Sequence, residues 1–307
     1  METLLQQIVN GLVLGAVYAL VALGYTMVYG ILGLINFAHG EVVMVGALVT
    51  LAVIKPLAAA GVPHALLLPL GLAVAMAVCM ALGATVERVA YRPLRNAPRL
   101  APLITAIGVS IVLQYSVVLI WGRSYHAYPE LLPTTSLSFF GVHVSPAQIA
   151  IIVLSTVVMA ALLWLVHRTR LGRAMRATAE NPAAARLMGV DVDRVISLTF
   201  VIGSALGAVA GVLVSINYSV AHYQMGFVLG LKAFTAAVLG GIGNLAGAMV
   251  GGLVLGLIEA LGSGYIGELT GGLFGSNYRD VFAFLVLVLV LIFRPSGLLG
   301  ERLAERA

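Results

Sequence analysis

The chain reads as a series of unbroken apolar runs separated by short polar connections. The runs cover approximately residues 8–29, 31–54, 65–86, 100–121, 147–166 and 195–217, followed by a long glycine-rich stretch over 226–261 and a last run ending at Phe293. About 20 apolar residues suffice to cross a bilayer core as helix. None of the runs alternates polar and apolar positions, as the strands of a membrane barrel do over about ten residues. The pattern predicts an all-α, polytopic helical membrane protein. It should have about eight hydrophobic segments, some of them broken or re-entrant, in a single transmembrane domain over residues 1–307.

Two segments do not fit one simple crossing. The stretch 226–261 is too long, and its centre, Gly240-Gly241-Ile242-Gly243-Asn244, carries turn formers. It is expected to fold into two short crossings or a re-entrant hairpin. The run 281–293 covers only about 20 Å at 1.5 Å per residue. It should therefore borrow residues upstream, with Arg279 and Asp280 near an interface.

Composition agrees with the pattern. The chain is 61% hydrophobic and 9% charged, where a soluble domain is roughly a quarter charged. Its 35 glycines suit close helix packing in a bilayer. Cys79 is the single cysteine, which excludes an intramolecular disulfide. The net charge of +5 is carried by arginine, since Lys55 and Lys232 are the only lysines. In a membrane chain this excess marks sidedness and implies no nucleic-acid partner. No basic segment with a small-residue cleavage site opens the chain, so the first span is expected to be retained.

Arginine falls in three clusters: Arg88, Arg92, Arg95 and Arg99; Arg168, Arg170, Arg173, Arg176, Arg186 and Arg194; and Arg294, Arg302 and Arg306. The positive-inside rule places all three on the cytoplasmic side. The connection 122–146 contains only Arg123 among aromatics, prolines and small polar residues, and so faces outward. Parity puts the N-terminus outside if three full crossings precede Arg88, and inside if one of them is re-entrant. Both alternatives stay open at this stage.

The break at 33–40 and the break at 240–247 look alike. Each carries an asparagine among glycines and then resumes as a small-residue helix. Broken helices in corresponding positions of two halves point to a transport site. Asn36, His39 and Glu41 form the most informative polar cluster, since ionisable groups at membrane depth face a bundle interior or water. They are candidates for a translocation path, together with Asn244, Lys232 and Glu259. Lys232 and Glu259 also suit helix ends, where a long side chain reaches the interface.

Catalytic motifs are missing. A P-loop needs Gly-x-x-x-x-Gly-Lys-Ser/Thr, and the nearest stretch, around Gly226, Gly230 and Lys232, has the wrong spacing and no hydroxyl. The histidines are scattered, with none paired on a helical face as a metal site requires. No Gly-x-Ser-x-Gly elbow occurs. The chain is expected not to be an enzyme and to bind no cofactor or metal itself. Asn181-Pro182-Ala183 resembles the water-channel triplet, but it stands alone in an arginine-rich loop.

That loop, about 168–194, has its own structure. Residues 170–179 are alanine-rich and favour helix. Asn181 can cap a second helix of about two turns, with Pro182 at its first position and Gly189 at its end. Ala183, Leu187 and Met188 would form its apolar side, facing the bundle's underside or a cytoplasmic partner.

Four blocks resemble the permeases of branched-chain amino-acid ABC importers, most closely the LivH type. They are residues 24–30 (GYTMVYG) with 34–41 (LINFAHGE); 173–177 (RAMRA) with Glu180-Asn181-Pro182, Ala185, Arg186 and Gly189; 232–241 (KAFTAAVLGG) with Gly247, Gly251 and Gly252; and 293–300 (FRPSGLLG). They extend over nearly the whole chain in the order that family has. The resemblance implies a multi-pass subunit of a bacterial inner-membrane importer, passing leucine, isoleucine, valine or similar amino acids. It implies a second related permease as heterodimer partner, two cytoplasmic ATPase subunits that bind ATP and Mg, and a periplasmic amino-acid-binding protein. The loop bearing Arg176, Ala177, Glu180, Asn181, Pro182, Arg186 and Gly189 would be the element contacting an ATPase subunit. Urea and amide importers have similar permeases and remain an alternative. An ion-coupled secondary transporter is the competing class.

Overall fold

Helices carry most of the chain in the computed structural model, which describes residues 2–95, 97–98, 100–129, 131–133, 135–139, 141–271, 273, 275, 278–294 and 296–300. Arg99, Arg302, Arg306 and Pro295 of the sequence reading lie outside the described residues. In chain order the helices are α1 (Glu2–Leu32), α2 (His39–Ala59), α3 (His64–Val86), α4 (Leu100–Trp121), α5 (Pro146–Arg168), α6 (Arg170–Glu180), α7 (Pro182–Leu187), α8 (Val192–Tyr218), α9 (Met225–Gly240), α10 (Leu245–Leu269) and α11 (Arg279–Phe293). A π-helical turn over Glu87–Tyr91 and a 3-10 turn over Arg92–Leu94 extend α3. Four short strands complete the described structure: β1 (His126–Ala127), β2 (Leu137–Phe139), β3 (Val142–Val144) and β4 (Val220–Ala221). β1 pairs antiparallel with β4, and β2 with β3.

Helices α1, α2, α3 with its extension, α4, α5, α8 and α10 are long and apolar enough to cross a membrane. The glycine-rich stretch divides as expected, into α9 of 16 residues and α10 of 25, with the turn at residues 241–244. The last run borrows only two residues upstream: α11 begins at Arg279 and has 15 residues. Its first charged residues lie beside Glu259, inside α10, where Asp280 Oδ1 is 2.6 Å from Lys232 Nζ. Charge pairing accommodates them there, with both side chains still about half exposed.

The position of the first helix end is fixed by one pair of hydrogen bonds. Gln6 Nε2 donates to the His143 carbonyl at 3.0 Å, and the His143 amide donates to Gln6 Oε1 at 2.9 Å. The start of α1 therefore shares a face with β3 in the outward connection, opposite the arginine-bearing loops. This is the three-crossing branch of the parity argument, with the start of α1 outside.

Two three-helix units of opposite direction interlock at the centre. α1 and α8 run antiparallel, and each is followed by a non-helical segment, 33–38 and 219–224, that leads into a shorter helix. α2 and α9 start from these segments and meet near their N-termini, where a Cβ on Gly226 would lie 2.6 Å from the Gly40 carbonyl oxygen. α10 packs along α1 and α3 along α8, as Gly15 against Leu253 and Gly83 against Ser204 show. This is the inverted-topology arrangement of many transporter folds. It corrects the pairing read from the glycines. The counterpart of the break before His39 is 219–224, and residues 241–244 form the α9–α10 turn that corresponds to the α2–α3 turn at 60–63. The second break carries Ser219 at φ +54, a left-handed position held without glycine.

Small residues let these backbones touch. A Cβ on Gly15 would fall 2.7 Å from Leu253 Cα and 2.9 Å from its carbonyl oxygen. Both are backbone atoms and cannot rotate away. Gly15→Leu is expected to destabilise the bundle by about 3 kcal/mol, the upper end for overpacking. The thermal midpoint of purified protein measures this, and an unchanged midpoint would contradict the close α1–α10 contact.

Candidate functional site

Two buried polar atoms without a hydrogen-bond partner among the described residues, His39 Nε2 and Glu41 Oε2, lie at the start of α2, close to its crossing with α9. The chain reaches α2 through Asn36, whose side-chain oxygen accepts from the Ala38 amide at 3.1 Å and from the Tyr91 hydroxyl at 2.8 Å. Asn36 thus closes an Asx-type turn and ties the break to the π-helical turn at the base of α3. His39 and Glu41 occupy the first turn of α2, and both are buried, at 2% and 1% exposure. His39 packs edge-on against Tyr25 with ring centroids 5.1 Å apart. Gly24 makes room for its imidazole, and Gly207 of α8 approaches from the other side.

Glu41 points toward α4 and α9. Its Oε1 accepts from Ser110 at 3.0 Å. Its Oε2 has no hydrogen-bond partner among the described residues and lies 2.8 Å from where a Cβ on Gly226 would be. Ser110 and Gly226 both line a recess of about 190 Å³. Phe37, Ile107, Phe227 and Leu231 supply its apolar wall, and Tyr25 and Gly230 its floor. The arrangement suits a small, mainly apolar solute with one polar end.

The other path candidates lie elsewhere. Lys232 and Glu259 face each other across α9 and α10, with Nζ 2.7 Å from Oε1. The Tyr18 hydroxyl donates to Glu259 Oε2 at 2.9 Å, and Asp280 holds Lys232 from α11. Neither residue ends a helix, and neither lines the recess. Asn244 caps α10 by accepting from the Gly247 amide at 3.0 Å, and its amide donates to the Leu299 carbonyl at 2.8 Å. It anchors the chain after α11 beneath α9, where the Leu298 and Leu299 amides bond Leu239 and Gly240.

The arginine-rich loop has the two helices read from its sequence. Thr169 caps α6 by accepting from the Gly172 amide. Asn181 caps α7 by accepting from the Ala183 and Ala184 amides, both at 3.0 Å. Gly189 ends it at φ +81, as glycine does after helices. Arg176 folds back to the Val166 carbonyl, while Ala177, Glu180 and Pro182 lie exposed. Arg186 is 3.9 Å from Asp193, which also pairs with Arg95 and Arg92. Ala185 faces the bundle, leaving Leu187 and Met188 at 89% and 84% exposure. The apolar side therefore points away from the bundle's underside.

Residues 7–291 match the family model described as branched-chain amino acid transport system / permease component. The chain belongs to this family. It is similar to the high-affinity branched-chain amino acid transport system permease protein BraD of Pseudomonas aeruginosa, at 50% identity over 98% of this chain and 97% of that one. LivH of Escherichia coli K12, which has the same description, is 47% identical with the same coverage. A probable branched-chain amino acid transport permease of Methanocaldococcus jannaschii is 29% identical over 92% of this chain and 88% of that one. The resemblance read from four blocks therefore extends over nearly the full length.

Several contact residues of the permease carry no sequence signal for the contacts they make. Tyr91, Ser110, Tyr18 and Asp280 each complete a candidate residue from a distant helix. Glu87 is a further buried carboxylate, held by Arg95 and by the Ser197 hydroxyl at 2.7 Å. It clamps the π-helical turn to α8. Its place beside four arginines reads as an ordinary surface charge, and only the fold brings Ser197 to it.

Proposed function

We propose that this chain is the membrane-spanning permease subunit of an ATP-driven importer in a bacterial inner membrane. Its cargo would be branched-chain amino acids delivered by a periplasmic binding protein. The observation that carries this reading is near-full-length similarity to two permeases whose names specify high-affinity branched-chain amino acid transport. A second, related permease would complete the membrane pair. Two ATPase subunits would bind ATP and Mg beneath the arginine-bearing face, since this chain has no P-loop of its own.

The geometry supports a mechanism by linkage. Closure of the ATPase subunits on ATP would push α7, whose exposed Leu187 and Met188 suit a groove on a partner. α6 and α8 would carry that displacement to the α2–α9 crossing, where two interrupted helices meet without continuous backbone. The loaded binding protein would favour the outward-open arrangement at the opposite face. Lys232 and Glu259 neutralise each other in a buried pair, so they do not favour the ion-coupled alternative.

A gentle-detergent pull-down of tagged protein from its native membrane tests the assembly. A second permease and ATPase subunits should co-purify. Recovery of the chain alone, or only with copies of itself, would contradict the reading.

A further inference from the structure

We propose that the α2–α9 crossing is a transient site for the amino-acid backbone of the cargo, with Glu41 receiving its ammonium group and the first amides of α9 its carboxylate. This rests on the import reading and names a site for it.

Several polar groups at this crossing have unmet bonds. Glu41 is 1% exposed, its Oε1 is occupied by Ser110, and its Oε2 has no partner among the described residues. No arginine or lysine of the described chain forms an ion pair with it. A carboxylate at membrane depth without a cation is costly, and such groups ordinarily mark a pathway. Across from it, α9 begins at Met225 with no side-chain cap. The Gly226 and Phe227 amides have no hydrogen-bond acceptor among the described residues. A helix start of this kind favours a carboxylate.

The two ends are adjacent. A side chain at Gly226 would lie against both Oε2 and the Gly40 carbonyl. Ser110 and Gly226, which flank the buried Oε2, both line the recess, so a small zwitterion entering there would meet the free amides directly and Oε2 once the α2–α9 contact loosens. The recess beside them has room for an aliphatic side chain between Phe37, Ile107, Phe227 and Leu231, with a volume of about 190 Å³. Opposite charges at one end and an apolar wall at the other specify an α-amino acid with a hydrocarbon side chain. Urea has neither the charges nor the hydrocarbon.

The test uses the assembled transporter without its binding protein, and three probes: leucine, 4-methylpentanoate, which lacks the amine, and isopentylamine, which lacks the carboxylate. A ligand that binds the folded state raises the thermal midpoint. Leucine is expected to raise it, and the other two to leave it unchanged. Glu41→Gln, which keeps the volume and the Ser110 hydrogen bond, should lose the leucine effect. With the binding protein restored, its ATP-driven leucine uptake at subsaturating supply should fall about tenfold or more, and Glu41→Asp should retain part of it. Equal shifts with all three probes, or none with leucine, would overturn the site. Normal uptake by Glu41→Gln would overturn it and leave import standing. Should Glu41→Gln fail to assemble, the three probes on the unaltered transporter decide alone. Absence of leucine uptake by the unaltered complex would instead refute the import reading, and the probe comparison would still decide the site.

Discussion

Replacing Leu187 and Met188 together with aspartate is expected to abolish ATP-driven uptake while leaving the membrane bundle folded. These side chains are 89% and 84% exposed at the tip of α7, and they touch nothing that holds the helices together. Exposed substitutions of this kind change stability by less than about 0.5 kcal/mol. Their position is nonetheless fixed. Asn181 caps the helix, Ala185 is buried beneath it, and the Val190 amide bonds the Ala185 carbonyl at 3.0 Å. Apolar anchors that fill a partner's pocket commonly contribute 2 kcal/mol or more each, as an approximate threshold. A carboxylate placed in the same pocket adds a desolvation cost. Co-purification of the ATPase subunits should be lost along with uptake, and the thermal midpoint of the permease should stay put. Normal uptake by the double variant would remove α7 from the coupling path.

Lys232→Met is expected to have the largest effect on stability, a loss of about 3–5 kcal/mol. Its ammonium lies 2.7 Å from Glu259 and 2.6 Å from Asp280, and its side chain is 4% exposed. Removing it leaves Glu259, at 1% exposure, with the Tyr18 hydroxyl at 2.9 Å and only a distant Arg279 at 3.9 Å. A buried ion pair need not stabilise a fold relative to apolar residues, but a single survivor of the pair costs heavily. The second half of the prediction follows from that asymmetry. Adding Glu259→Gln to Lys232→Met should recover much of the loss, because the fully buried survivor is gone and Asp280, at 45% exposure, keeps Arg279 at 3.7 Å. Thermal midpoints of the two single variants and the double variant measure the coupling. Strict additivity would show that the two residues do not act as a pair.

The membrane spans and α7 are legible in the sequence because their signals are local. A bilayer imposes a run length on each helix, and Asn181-Pro182 followed by Gly189 carries cap, first turn and stop within nine positions. The break before His39 was legible for the same reason, through Gly33 and Asn36. The break at 219–224 was missed, because the apolar run leads into it and neither glycine nor proline marks it. Its only signal is the polar set Ser219, His222, Tyr223 and Gln224, which falls in the gap between the run ending at 217 and the stretch starting at 226. Glycine pairing then matched the wrong segments of the two halves. Contacts such as Tyr18 with Glu259 link positions 241 residues apart, and no periodicity reports them. Lys232 and Glu259 read as helix-end charges because each alone is costly at membrane depth. Only the fold supplies each with the other.

The source of the driving force separates an ATP-driven importer from an ion-coupled transporter most directly. The chain, its related permease and the ATPase subunits should be reconstituted in vesicles. ATP belongs on the arginine-bearing side, and leucine with the binding protein on the other. The expected result is leucine accumulation that requires ATP hydrolysis and persists when proton and sodium gradients are collapsed. Accumulation that follows an ion gradient and ignores ATP would contradict the account.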